Sequence, residues 1–245
     1  VSSKTCRLSL RLAQIWPELT KDQILARILC GDVRLNGETL RNPAQLVSCE
    51  SILLFQPPKY VSRGGEKLDA ALRAWNWDVI GKRILDVGAS TGGFTDALLQ
   101  AGAARVWSVD VGRGQLAASL VQDPRVINLE GHGIFDLPDL EAAPDGGVAD
   151  ISFRSLDTIL VELIKKVREG WVIALVKPQF ERKKYGDGRD DFHGVVDDGV
   201  GKEILMKFLE EMETLGIKAE KTLASPLRGR KGNQEYLVLF KKDGT

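Results

Sequence analysis

The sequence predicts an α/β protein, a mostly parallel sheet with helices on both faces, preceded by a small basic α+β module. Three observations predict it. From Lys82 onward, short β-rich runs alternate with amphipathic stretches, the order that builds parallel sheets through helical crossovers. A glycine-rich turn, Gly88-Ala89-Ser90-Thr91-Gly92-Gly93, follows the first of those runs. Ahead of them, residues 1–63 carry nine Lys/Arg against five Asp/Glu, a net of +4 in a chain whose total is zero.

Composition sets the outer bounds. The chain has 245 residues, 43% of them hydrophobic, which supports a real core and excludes a disordered or collagen-like protein. That length suits one large or two smaller domains. Cys6, Cys30 and Cys49 leave one thiol unpaired and fit no zinc spacing. A disulfide framework and a structural metal are therefore not expected, and a reducing compartment is. No run approaches the ~18 apolar residues of a spanning helix, and no secretory h-region is present. A protein without a membrane partner is the expectation. Zero net charge argues against indiscriminate nucleic-acid coating, though not against local basic patches.

The N-terminal module is justified element by element. Thr20 is placed as an N-cap with Gln23 at the capping-box position. Ile24, Leu25, Ile28 and Leu29 follow on one helical face, and Gly31 ends that helix. Val33 and Leu35 alternate into the hairpin signal Asn36-Gly37. Asn42-Pro43 marks another turn, Ser51–Phe55 reads as a strand, and Gln56-Pro57-Pro58 is a stiff stop near a boundary at 56–63. The order helix–Gly–Val–x–x–Asn–Gly resembles an S4 RNA-binding domain over about residues 5–56. Arg7 and Arg11, four apart on one predicted helical face, join Arg27, Arg34 and Arg41 as candidate RNA contacts. Guanidinium groups offer forked donors to phosphate. The resemblance departs at Ser9, where the S4 pattern often has Asp after Arg-Leu.

In the remainder, strands are predicted at Arg83–Val87, Arg105–Val109, Val126–Leu129, Gly147–Asp150, Trp171–Val176, Ile217–Thr222 and Tyr236–Phe240. Helices are predicted at Glu66–Trp75, Phe94–Gln100, Gln115–Val121, Ser155–Val167 and Gly199–Leu215. Ligands of such sheets bind beyond the carboxyl ends of the strands, near the point where strand order reverses. The turn at 88–93 is not G-x-G-x-x-G, because three non-glycines follow Gly88. A pyrophosphate on the backbone, and with it a nicotinamide dehydrogenase, is disfavoured. Asp110, 24 residues beyond Asp86, is placed to hold ribose hydroxyls. Ribose and adenine without phosphates describe S-adenosylmethionine. Asp86 and the Gly88–Gly92 backbone would face its amino-acid end. Gly93, Phe94, Val111 and Glu130 complete the candidate cofactor set. A turn that merely allows close helix–strand packing is the competing explanation.

Four charged residues flank the same mouth. Asp150 and Lys177 end strands, Pro178 keeps Lys177 at its tip, Glu235 enters the last strand, and Lys67 follows Ser62-Arg63-Gly64-Gly65-Glu66. These segments together resemble the TlyA family, the S4-linked branch of FtsJ-like ribose 2′-O-methyltransferases, over nearly the whole chain. The family's Lys-Asp-Lys-Glu tetrad falls on Lys67, Asp150, Lys177 and Glu235. The resemblance implies a Rossmann-like class I S-adenosylmethionine-dependent methyltransferase sheet. It also implies a cytoplasmic protein and methyl transfer to a ribose 2′-hydroxyl of ribosomal RNA, with ribosomal RNA or subunits as partner and no metal. The expected division is 1–58 S4-like, 59–65 linker and 66–245 catalytic. Lys177 takes the central role, either neutral as base or charged as orienter of the hydroxyl. Arg63, Arg182, Lys183 and Lys184 are further RNA candidates, the last three in a loop expected over Glu181–Gly194. Relatives commonly carry Glu-Arg-x-Asn-Val-Arg where this chain has Glu130-Gly131-His132-Gly133-Ile134-Phe135. His132 is either a partial substitute or a plain loop histidine. A non-catalytic RNA-binding protein is the alternative that departure raises. A membrane-active haemolysin, a label many members carry, is opposed by the missing spanning run.

Overall fold

The structure is a computed structural model and describes residues 4–55, 59–188 and 194–242. The stop at Gln56-Pro57-Pro58 and part of the 181–194 segment lie outside the described residues. The chain forms two compact units, Val1–Lys59 and Tyr60–Thr245.

In the first unit, β1 (Thr5–Arg7), α1 (Leu8–Ile15) and α2 (Lys21–Cys30) precede four short strands: β2 (Val33–Leu35), β3 (Glu38–Leu40), β4 (Leu46–Ser48) and β5 (Leu53–Phe55). The capping box forms. Gln23 N donates to Thr20 Oγ1 at 3.2 Å, and Thr20 N donates to Gln23 Oε1 at 2.8 Å. Gly31 stops α2 in the left-handed region at φ 86°, where a side chain would strain the backbone. Asn36 and Gly37 both have positive φ, so β2 and β3 meet in a tight hairpin. Leu8, Leu12, Ile24, Ile28, Val33, Leu40, Val47 and Leu53 close the core. One expectation is corrected. Arg7 is not helical; its backbone pairs with Leu46 of β4, and α1 begins one residue later. Arg7 and Arg11 therefore do not share a helical face.

The second unit runs α3 (Arg63–Trp75), β6 (Arg83–Val87), α4 (Gly93–Gln100), β7 (Arg105–Asp110), α5 (Ala118–Val121) and β8 (Val126–Glu130). It continues with β9 (Gly146–Ala149), α6 (Asp157–Lys166), β10 (Trp171–Val176), α7 (Pro178–Tyr185), α8 (Asp198–Thr214), β11 (Ile217–Ala224) and β12 (Tyr236–Lys242). Seven strands form one sheet in the order β11-β12-β10-β9-β6-β7-β8. Alternate residues of each strand feed opposite faces. Leu85, Trp107 and Val172 meet α6 and α8, while Ile84, Val106 and Ile173 meet α3 and α4. Each such side chain, fully buried, contributes about 1.5–3 kcal/mol.

The sheet is mostly parallel, as expected, with two antiparallel strands at one edge. β12 runs antiparallel to β10, and β11 antiparallel to β12. The irregular stretch between β11 and β12 has no helix, and a connection without a crossover joins antiparallel neighbours. The expected loop at Glu181–Gly194 is also corrected. It opens as helix, because Pro178 sits in the first turn of α7 with its φ already suited to a helix.

Candidate active site

Register brings the four charged residues to one edge of the sheet. Val87 of β6 lies level with Ala149 of β9, so Asp150 emerges beside the glycine turn. Val176 of β10 pairs with Tyr236 of β12, so Lys177, leaving one strand, faces Glu235, entering the other. The antiparallel β12 thus places a residue from the start of a strand among residues from strand ends. Lys67 is carried in by α3, whose buried face includes Gly65, Lys67, Leu68 and Ala71. A Cβ at Gly64 would lie 3.6 Å from Asp150 Oδ2, so the first turn of α3 adjoins the same corner.

The four form two ion pairs. Lys67 Nζ is 2.5 Å from Glu235 Oε2, with both side chains at most 10% exposed. Lys177 Nζ is 2.6 Å from Asp150 Oδ1, and donates to Ser152 Oγ at 2.8 Å. It also lies 5.6 Å from the centre of the Phe180 ring. Gln179 Nε2 donates to Glu235 Oε1 at 3.4 Å. Buried pairs of this kind are a poor route to stability, since desolvation offsets most of the attraction. Their place beyond the strand ends, where ligands of such sheets bind, makes them the candidate for chemistry.

The neighbouring corner is the candidate cofactor site. Asp86 is fully buried; its Oδ2 accepts from Thr95 Oγ1 at 2.7 Å, and its Oδ1 has no partner. Burial, with Asp150 and Asp110 adding, pushes its pKa up to about 7. An orphaned carboxylate oxygen suits a cation such as an amino group. The turn itself is mostly self-satisfied. Gly88 N and Ala89 N donate to Val109 O, Ser90 N to Asp110 Oδ2, and Gly92 N to Ala89 O. With those amides spent, the turn is ill-equipped to cradle phosphates. Gly88 has φ 85°, and a Cβ there would stand 2.8 Å from Asp150 O. Gly93 is pressed by Ser62 and Gly65, and Gly92 by Leu116 and Leu120. The packing explanation therefore accounts for these glycines, and Asp86 is the residue that favours a ligand.

Other candidates are placed less directly. Asp110 also accepts from Gly112 N at 2.7 Å, while Val111 is exposed. Phe94 is buried at the start of α4, and Ser90 adopts positive φ beside Thr91. Glu130 accepts from Gln115 N at 2.6 Å, Leu116 N at 3.0 Å and Asn128 Nδ2 at 3.1 Å. The Leu116 amide, the Asn128 side chain and the Gln115 amide lower its pKa to about 2, so it braces the chain entering α5. His132 Nδ1 lies 3.9 Å from Asp136 Oδ2.

Several RNA candidates are held by the protein itself. Arg11 Nη2 donates to Ser51 O, Arg34 Nη1 to Gly37 O and Arg41 Nη1 to Leu29 O. Arg27 pairs with Asp32 at 3.6 Å, whereas Arg7 is exposed. Arg63 donates to Arg228 O. Arg182 makes a two-pronged bond to Asp187, and Lys184 bridges Asp157 and Glu211 at 2.6 Å each. Lys183 is exposed on the same helix. Sequence reasoning missed Ser152, Thr95, Gln179 and Glu181. Ser152 sits two residues after Asp150, and Glu181 one helical turn after Lys177; those spacings are the signal that was available.

Among the described residues no group of three or more His, Cys, Asp or Glu is arranged to hold a metal, and no helix is long and apolar enough to cross a membrane. Residues 60–242 match the FtsJ-like methyltransferase family. The chain is 41% identical over 226 residues to the 16S/23S rRNA (cytidine-2′-O)-methyltransferase TlyA of Mycobacterium tuberculosis, covering 89% of this chain and 83% of that protein. It is 38% identical over 220 residues to Hemolysin A of Brachyspira hyodysenteriae, covering 87% and 90%. A solved Streptococcus thermophilus protein with a provisional hemolysin name superposes with TM-score 0.72 at 33% identity, over 100% of this chain and 90% of that one.

Proposed function

The chain belongs to the FtsJ-like methyltransferase family, and from that premise we propose that it methylates a ribose 2′-hydroxyl of ribosomal RNA, using S-adenosylmethionine. The observation that carries this reading is the Lys177–Asp150 pair, with Lys67–Glu235 close by, beside a buried carboxylate with one unpartnered oxygen. Asp86 would hold the cofactor's amino group, and Asp110 its ribose. When bound, S-adenosylmethionine supplies an activated methyl group on a sulfonium.

The protein's own task is then to align the hydroxyl and manage one proton. Lys177 is held by Asp150 and Ser152 with its ammonium at the mouth. In that state it orients the hydroxyl and stabilises the charge that develops on its oxygen; neutral, it accepts the proton. Lys67, anchored by Glu235, supports the substrate. The N-terminal unit is read as the S4-like RNA-binding part, and the names of the relatives support ribosomal RNA as the partner.

The test is transfer of labelled methyl groups to ribosomal subunits by the full chain and by Lys177→Ala. We expect transfer by the first and a loss of roughly 100-fold or more in the second, with S-adenosylmethionine affinity kept. Equal incorporation would remove Lys177 from the mechanism. Cofactor binding without any transfer would favour a non-catalytic RNA-binding role.

A further inference from the structure

Directly behind the Lys177–Asp150 pair lies a carboxylate that the proposed chemistry does not use. Glu181, in the first turn of α7, is 1% exposed. Its Oε2 accepts from Ser155 Oγ at 2.5 Å, and its Oε1 accepts from Leu156 N at 2.8 Å. Leu156 is the residue that caps the start of α6. Glu181 thus accepts two bonds at the N-terminus of a helix other than its own, and burial, which outweighs them, raises its pKa to about 7.

The segment so clamped is short and functional. It runs from the end of β9 to α6, and its front half carries Asp150 and Ser152, both on Lys177 Nζ. Its middle residue, Phe153, is held at φ 63°, a strained conformation for an aromatic residue. The Phe153 ring rests 5.4 Å from that of Phe180. Residues 177, 180 and 181 of one chain segment therefore grip residues 150, 152, 153, 155 and 156 of the other in sequence. Strain at Phe153 persists only if both ends are fastened. Lys177 fastens the front, and Glu181 the back.

We propose that Glu181 is a positioning residue: it latches the 150–156 segment onto α7, and so sets where Asp150 and Ser152 hold the Lys177 ammonium. A buried carboxylate is costly unless well bonded. Two good bonds offset part of that cost here. A neutral Gln retains an acceptor for the Leu156 amide, whereas Ala retains neither bond. The catalytic consequence rests on the methyl-transfer reading above; the latch itself does not.

The experiment uses the full chain with Glu181→Ala, Glu181→Gln and Ser155→Ala. It reads amide hydrogen exchange over residues 150–157, kcat and KM for RNA, and S-adenosylmethionine affinity. For Glu181→Ala we expect exchange at Leu156 to quicken by roughly tenfold or more. Its kcat should fall by roughly tenfold or more, with cofactor affinity and KM within about twofold. Glu181→Gln should keep kcat within about threefold, and Ser155→Ala should lie between the two.

Unchanged exchange in Glu181→Ala overturns the latch whatever the enzyme does. Quickened exchange with wild-type kcat overturns the positioning role. Loss of kcat in Glu181→Gln as deep as in Glu181→Ala, with cofactor affinity intact, assigns the effect to charge and overturns it too. If Glu181→Ala does not fold, Ser155→Ala decides, and wild-type exchange and kcat there count against the proposal. Absence of transfer by the wild-type chain would sink the methyltransferase reading alone, because the exchange measurement still judges the latch.

Discussion

Asp86 is the residue whose surroundings say most about pH. Burial raises its pKa to about 7, well above the ~3.9 of an unfolded carboxyl. The raised value means its contribution to stability is complete below about pH 4 and is lost as pH rises through about 7. Asp86→Asn should therefore gain stability relative to wild type as pH climbs from 5 to 8 without cofactor, read as the difference in Tm. The proposed cofactor contact has the opposite sign, since a cationic amino group prefers the ionised carboxylate. S-adenosylmethionine affinity of the wild type should weaken about fivefold between pH 7 and pH 6. Calorimetry at the two pH values checks this, and a flat response would take Asp86 out of the site. Asp86 was legible as a site residue because it ends an apolar run just before a glycine turn. Its partner Thr95, and Ser108 bonded to Thr95 in turn, were not, since a helix hydroxyl nine residues further on has no local signature; only folding brings Thr95 within 2.7 Å of both Asp86 and Ser108.

Elements show which glycines are structural. Gly88 joins β6 to the turn at positive φ, with Asp150 O across the crevice where a Cβ would stand. Gly88→Ala should cost about 1–3 kcal/mol of stability through backbone strain alone, measured by denaturant unfolding of the full chain, and more if Asp150 is pushed aside. Wild-type stability would mean that the turn relaxes freely. The helix of the N-terminal unit was readable to its caps, because capping chemistry is local: Thr20, Gln23 and Gly31 lie within a dozen residues of one another. The start of α1 was not. Arg7 has no local reason to be extended; pairing with Leu46, far along the chain, makes it so. The same holds for Glu181, whose helix was expected as a loop because its four charged neighbours at 182–184 and 187 masked a buried face made by Phe180, Glu181 and Tyr185.

For the whole molecule, zero net charge conceals an uneven distribution, and much of the basic surface is already engaged. Arg182 and Lys184 hold acids, and Arg27 pairs with Asp32. RNA affinity should then depend on a few exposed cations rather than on the total. Arg7→Ala should weaken RNA binding and flatten the log–log salt dependence by about one unit, without changing S-adenosylmethionine affinity. Titration of RNA at several salt concentrations reads this, and an unchanged slope would exclude Arg7 from the phosphate contacts. The amino-acid sequence by itself determined the α/β class, the caps and turns, the run of strands and the identity of Asp86, Lys67, Asp150, Lys177 and Glu235 as candidates, because these rest on local spacing and on residue chemistry. Only the tertiary structure decided that the last two strands run antiparallel, that the four charges divide into the pairs Lys67–Glu235 and Lys177–Asp150, and that Glu181 fastens the segment behind them. Strand direction and side-chain partnership are settled by packing between residues as far as 168 positions apart, and no local pattern encodes such a meeting.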